Sequence, residues 1–156
     1  MFLVAAAIAV GATKLPACPP ECYLLAGALG LAAVWFAVRA RARWYGQAVE
    51  RRALRALERE PLDVTTNVMT QHGDIDAIVR PRRRHSRFAV EIKAWHAPRR
   101  ISRAALAQAS ENAHAKNCIP VLWLPNARAS TFRRGNVWVV CGSARVLARW
   151  VDEDAH

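Results

Sequence analysis

Acidic residues are scarce in this chain. Its 156 residues carry 12 Asp and Glu against 23 Lys and Arg, a formal net charge of +11 with a sequence pI near 10.9. Nearly all of the positive charge is arginine. Such an imbalance favours polyanions, either nucleic acid or an anionic membrane surface, and says nothing about fold. A solvated basic face beside lipid headgroups fits the same charge. Cysteine is sparse too. There are four, with no repeated C-x-x-C pair, which excludes a zinc ribbon. Cys118 and Cys141 lie in apolar runs and read as small core residues. Cys18 and Cys22 flank Pro19-Pro20-Glu21 and could pair in an oxidising compartment. No internal repeat or low-complexity tract appears. The length suits one modest domain plus an appendage.

The appendage is apolar. Cys22 to Val38 contains no charge and, at ~1.5 Å per residue, reaches about 26 Å, close to the ~30 Å thickness of a bilayer core. It ends in Trp35-Phe36 and then Arg39, Arg41 and Arg43, a pattern that predicts a cytoplasmic C-terminal side. Phe2 to Ala12 is a shorter apolar run. No cation precedes it, which argues against a signal peptide. It reads either as a first span, joined to the second by a Pro-rich turn at Lys14 to Glu21, or as a peripheral segment. The expectation is a membrane anchor over residues 1–40, a soluble domain over 41–151 and a frayed acidic tail over 152–156.

In the soluble part, Val49, Ala53, Leu54, Ala56 and Leu57 recur at helical spacing and predict a helix over Tyr45–Glu60, stopped by Pro61. This helix can run on directly from the apolar span. Strands are predicted at Val64–Met69, Asp74–Val79, Phe88–Ala94, Ile119–Leu124 and Val137–Cys141. Helices are predicted from the Ser102 N-cap through Ala115, and over Ala144–Trp150. The order implies an α/β fold, a mixed sheet flanked by helices.

Two of these strands hold charges where a buried strand should have none. Asp74 and Asp76 share one face of their strand, and Glu91 and Lys93 share one face of the next. If the strands pair, three carboxylates and an ammonium meet. Burying such charges costs several kcal/mol unless they are paired or bind metal. Hard oxygen ligands point to Mg²⁺ or Mn²⁺ rather than zinc. Asp76 and Glu91 are the expected ligands, with the Ile92 carbonyl as a third. Asp74 is either a further ligand or a turn residue after Gly73. Lys93 is placed to orient or deprotonate an attacking water, in a metal-assisted hydrolysis of a phosphodiester.

Gly73-Asp74-Ile75-Asp76 with Glu91-Ile92-Lys93 resembles the PD-(D/E)xK restriction-endonuclease-like superfamily and, more narrowly, its nuclease-related domain (NERD) family. Gly46-Gln47-Ala48-Val49-Glu50 matches that family's Gly-x-x-x-Glu helix, and Gln108 its glutamine in the helix after Glu-x-Lys. The later strands also fit. The resemblance covers about residues 45 to 150, with Ile-Asp standing where the superfamily pattern has Pro-Asp. It implies a restriction-endonuclease-like fold and metal-dependent nuclease activity on DNA, with Asp76, Glu91, Lys93, Glu50 and Gln108 in the catalytic set. Beside this, Glu50 also reads as an ordinary surface glutamate, and Gln108 as a polar helix-face residue. His72, His85, His96 and His114 read as exposed loop or surface residues, and Trp95 as a residue packing at the domain edge.

The arginines of the polar turn Arg80–Arg87 between the Asp74–Val79 and Phe88–Ala94 strands, Arg82, Arg83 and Arg84 among them, together with Arg99, Arg100 and Arg103, are candidate phosphate contacts. A homodimer is implied if both DNA strands are cut. The expected protein is a membrane-anchored nuclease facing the cytoplasm. The alternative is a catalytically inactive, membrane-tethered module that binds nucleic acid or supports assembly.

Overall fold

The computed structural model describes residues 20–82 and 85–153. The chain divides into two compact units, Met1–Ala42 and Arg43–His156.

The first unit contains the start of helix α1 (Pro20–Leu57). Its apolar side chains face outward: Leu25, Leu29, Leu31, Val34, Trp35, Phe36 and Val38 are all more than half exposed. Among the described residues nothing covers this apolar stretch, and such a helix suits lipid. By length and composition it can cross a membrane, in accord with the Cys22–Val38 span. At its end the Arg39 guanidinium lies over the Trp35 ring, 4.6 Å from the centroid, while Trp35 meets Phe36 edge-on at 5.0 Å. The helix begins at Pro20, inside the expected Lys14–Glu21 turn. The Phe2–Ala12 run and the side chains of Cys18 and Cys22 lie outside the described residues.

In the second unit the C-terminal part of α1 is followed by β1 (Leu62–Thr70), β2 (Gly73–Pro81), β3 (Phe88–Ile92), a 3₁₀ turn (Pro98–Arg100), α2 (Arg103–Ala115), β4 (Ile119–Leu124), β5 (Ser130–Arg134), β6 (Val137–Cys141) and α3 (Ala144–Glu153). The six strands form one mixed sheet in the order β1-β2-β3-β4-β6-β5. β3, β4 and β6 run parallel, and the other neighbours pair antiparallel. Two antiparallel hairpins thus flank a parallel centre whose β3–β4 crossover carries α2.

Both faces of the sheet are covered. On one face, Ala53, Leu54 and Leu57 of α1 and Leu147, Trp150 and Val151 of α3 pack on Val79, Phe88, Val90, Ile92, Val121 and Trp123. On the other, Ala109 of α2 covers Leu122, Leu124, Val137, Val139 and Cys141. Farther along α2, Ala113 meets Ile75, Ile78 and Ala89. Strand alternation distributes each strand's residues between these layers. The α2 ends follow from local chemistry. Ser102 Oγ accepts from Ala105 N–H at 3.1 Å, the expected N-cap. At the other end Asn117 takes φ 52°, so Asn117 and Cys118 donate back to His114 and Ala113 carbonyls at 3.0 and 2.9 Å, a Schellman closure.

Several expectations shift: α1 ends at Leu57 rather than Glu60, and β3 at Ile92 rather than Ala94, so Lys93 lies just past the strand. β5 has no counterpart among the predicted strands, because it is an edge strand of Ser, Thr and Arg with only Phe132 partly buried. α3 extends through Asp152 and Glu153, so these two are helical rather than frayed. Cys141 is fully buried, as expected of a core residue, but Cys118 is only partly so; burial pushes its thiol pKa up.

Candidate active site

The β2–β3 ladder runs through Val79–Phe88 and Ile78–Ala89 and ends at Ala77–Val90. In the same register the next opposed residues are Asp76 and Glu91. There a side chain replaces the backbone: Ile92 N–H donates to Asp76 Oδ2 at 2.6 Å. The following N–H, of Lys93, donates to the Trp123 carbonyl at 2.9 Å. β3 therefore stays tied to β4 while β2 peels away, and the Asp76 carboxylate stands in the gap.

A break in β1 accompanies this departure. Asn67 has φ 54°, and the register sets it opposite Asp76, between the Thr66–Ala77 and Val68–Ile75 pairs. Asparagine tolerates the left-handed region better than other residues bearing Cβ. Before the break Val64 packs with the α1 layer; after it Val68 and Ile75 pack with α2. Asn112 of α2, 1 % exposed, holds the turned hairpin: Thr70 Oγ1 donates to Asn112 Oδ1 at 2.9 Å, and Asn112 Nδ2 donates to the Asp74 carbonyl at 3.4 Å. Sequence reasoning missed Asn112. The available signal was a lone Asn on the Ala105-Ala109-Ala113 face.

Glu91 is 5 % exposed. Its neighbours Val90 and Ile92 point into the α1 layer, so Glu91 and Lys93 project from the opposite face. Lys93 Nζ donates to Glu91 Oε1 at 2.7 Å, with the two side chains 26 % and 7 % exposed. Burial, above all, pushes the Asp76 carboxyl pKa from 3.8 up to about 7; the Glu91 and Glu50 carboxylates push the same way, against the Ile92 hydrogen bond and the Lys93 ammonium. Glu91, Glu50 and Lys93 therefore each lie within electrostatic reach of Asp76. Among the described residues, no protein group donates to Asp76 Oδ1 or Glu91 Oε2.

The other predicted residues lie farther from this centre. Asp74 is exposed at the hairpin tip and is not among the groups that move Asp76. Gln108 is partly buried, on the helical ridge of Ala105 and Asn112; among the described residues it makes no side-chain hydrogen bond. Arg82 is exposed at the β2–β3 turn. It stands six positions along the strand from Asp76, about 20 Å at ~3.3 Å per residue, so Arg82 flanks the far end of β2 and not the carboxylates. Arg83 and Arg84 lie outside the described residues. Arg99 and Arg100 are exposed in the 3₁₀ turn that follows the site end of β3, and Arg103 is exposed at the start of α2. His72, His85, His96 and His114 are all exposed. Trp95 is partly buried against the α2 layer.

No group of three or more His, Cys, Asp or Glu side chains poised to hold a metal occurs among the described residues. Mg²⁺ does not require one. It keeps several waters and is bound through one or two carboxylates plus substrate phosphate. Two hard carboxylates, each with an unengaged oxygen, in partly buried and negatively biased surroundings fit that ion. No protein-family model, curated protein or solved structure matches the chain.

Proposed function

We propose that this chain is a membrane-anchored, metal-dependent nuclease that hydrolyses DNA phosphodiester bonds, with a restriction-endonuclease-like domain of the nuclease-related kind. The observation that carries the reading is the meeting of Asp76, Glu91 and Lys93 where β2 and β3 part: Asp76 Oδ2 accepts the Ile92 N–H at 2.6 Å and Lys93 Nζ donates to Glu91 Oε1 at 2.7 Å, with the Asp76 carboxyl pushed up to about 7, chiefly by burial. A pocket that raises a carboxyl's proton affinity in this way is short of positive charge, and a divalent cation supplies it.

When bound, Mg²⁺ or Mn²⁺ supplies Lewis acidity towards the scissile phosphate and a bound water of lowered pKa. Asp76 and Glu91 would hold the ion, with the Ile92 carbonyl as a third protein ligand. Lys93, held at the strand end by Glu91, orients the attacking water and offsets phosphate charge. Glu50 deepens the negative bias of the pocket. Arg99 and Arg100, beyond the site end of β3, steady the backbone phosphates without reading sequence. Arg39, Arg41 and Arg43, after the apolar stretch of α1, set this domain on the cytoplasmic side.

The test is nicking of supercoiled plasmid by the full-length chain in detergent with Mg²⁺. Asp76→Asn, Glu91→Gln and Lys93→Ala should each lower the rate at least about a hundredfold. Nicking that persists in all three variants would sink the proposal.

A further inference from the structure

We infer that a cavity between α1, β4 and α3 binds an unpaired nucleobase of a nucleic-acid strand; this rests on the nucleic-acid reading above. The cavity has a volume of about 350 Å³ and lies between α1, the end of β4 and the start of α3, lined by Tyr45, Val49, Arg52, Trp123, Pro125 and Asn126 among others. A volume of this order is that of a small-ligand site. It opens at the C-terminal ends of the parallel strands β4 and β6, where open α/β sheets receive ligands.

Two of its lining residues adjoin site residues through the backbone. Val49 precedes Glu50 on α1, and Trp123 receives the Lys93 N–H on its carbonyl at 2.9 Å. At the mouth Tyr45 connects three segments: its hydroxyl lies 3.4 Å from His96 Nε2 and accepts from Asn126 Nδ2 at 3.4 Å. Both bonds are long for their kind, so these groups are weakly engaged. Among the described residues, neither Asn126 Oδ1 nor the Arg52 guanidinium has a protein partner.

The chemistry selects the ligand. Ala53, Trp123 and Pro125 give apolar walls for the faces of a ring. The Asn126 amide offers a donor and an acceptor, the pair that a base edge requires. Arg52 at the rim suits the attached phosphate. A wholly apolar ligand would strip water from Arg52, Asn126 and Ser143 with nothing in return. Bases stacked in a duplex cannot enter, so the cavity selects a single strand, a frayed end or an extruded base.

Fluorescence anisotropy tests this with the full-length chain in detergent, in EDTA to prevent cleavage. The probes are a labelled single-stranded oligonucleotide and a duplex of equal length. Ala48 is exposed on α1 and lines the cavity, so Ala48→Leu fills the space without touching the core. Wild type should prefer the single strand. Ala48→Leu and Asn126→Ala should each weaken single-strand binding about tenfold and duplex binding less than about twofold. Unchanged single-strand affinity in both variants, or equal losses for both probes, overturns the inference. Plasmid nicking measured in parallel separates the two claims. Nicking without strand discrimination defeats this inference alone; discrimination without nicking upholds it and defeats the nuclease.

Discussion

Replacing Asp76 by asparagine should stabilise the metal-free protein at alkaline pH while abolishing its response to Mg²⁺. Asparagine is nearly isosteric, and its amide oxygen can still accept the Ile92 N–H that Asp76 Oδ2 receives at 2.6 Å. What disappears is the cost of ionising a partly buried carboxyl beside Glu91 and Glu50. Its pKa is 3.8 ordinarily and about 7 in the folded chain. The folded state therefore binds the proton more tightly than the unfolded one. The stability this gives is fully present below about pH 4 and is lost as pH rises through about 7. At ~1.4 kcal/mol per pKa unit the full difference is about 4 kcal/mol. Partial solvent access screens it, and about 2 kcal/mol is the working figure. For a domain of this size that is roughly 8 °C in Tm. Thermal unfolding in EDTA, followed by circular dichroism, should show an advantage for Asp76→Asn that is small near pH 4.5 and largest near pH 8. Saturating Mg²⁺ should reverse the order, stabilising wild type by about 3 kcal/mol at a hundred times Kd and leaving the variant unmoved. If Asp76→Asn is destabilising in EDTA to the same extent at every pH, the carboxyl is not under the strain described.

Other outcomes follow from the packing. Asn112→Ala removes both bonds that hold the β1–β2 hairpin to α2 and should cost about 1–3 kcal/mol in denaturant unfolding, with faster amide exchange around Thr70–Asp74. Gly142 has φ 112°, and a Cβ there would lie 3.3 Å from Ala129 Cα and Cβ. Gly142→Ala should therefore cost about 1–3 kcal/mol, read as a lowered unfolding midpoint. Leu57 is fully buried under the sheet, so Leu57→Ala should cost about 2–5 kcal/mol in the same assay.

The elements that carry the core were legible because hydrophobic periodicity reports burial. Ile119–Leu124 and Val137–Cys141 are apolar runs and form strands with those bounds. The α2 cap followed from Ser102. β5 escaped because an edge strand buries almost nothing, and Ser-Thr-Phe-Arg-Arg has no alternation to detect. The pairing of Asp76 with Glu91 and Lys93 was legible from strand parity and antiparallel order. That Asp76 binds the Ile92 N–H was not, because it depends on where the ladder ends. That ending accompanies the left-handed Asn67, one residue within an otherwise ordinary strand. Arg82 shows the limit of closeness in sequence: it is a few residues from Asp76, yet the extended β2 carries it about 20 Å away.

Metal titration with proton counting tests the central claim most directly. Mn²⁺ binding to the full-length chain in detergent, measured by calorimetry in two buffers of different ionisation enthalpy, reports both affinity and protons released. Because Asp76 is protonated below about 7 and ligation requires the carboxylate, binding of one ion should expel most of a proton near pH 6 and little above pH 8. Asp76→Asn should abolish it. Absence of binding by the wild type, or binding unchanged in Asp76→Asn, would contradict the account.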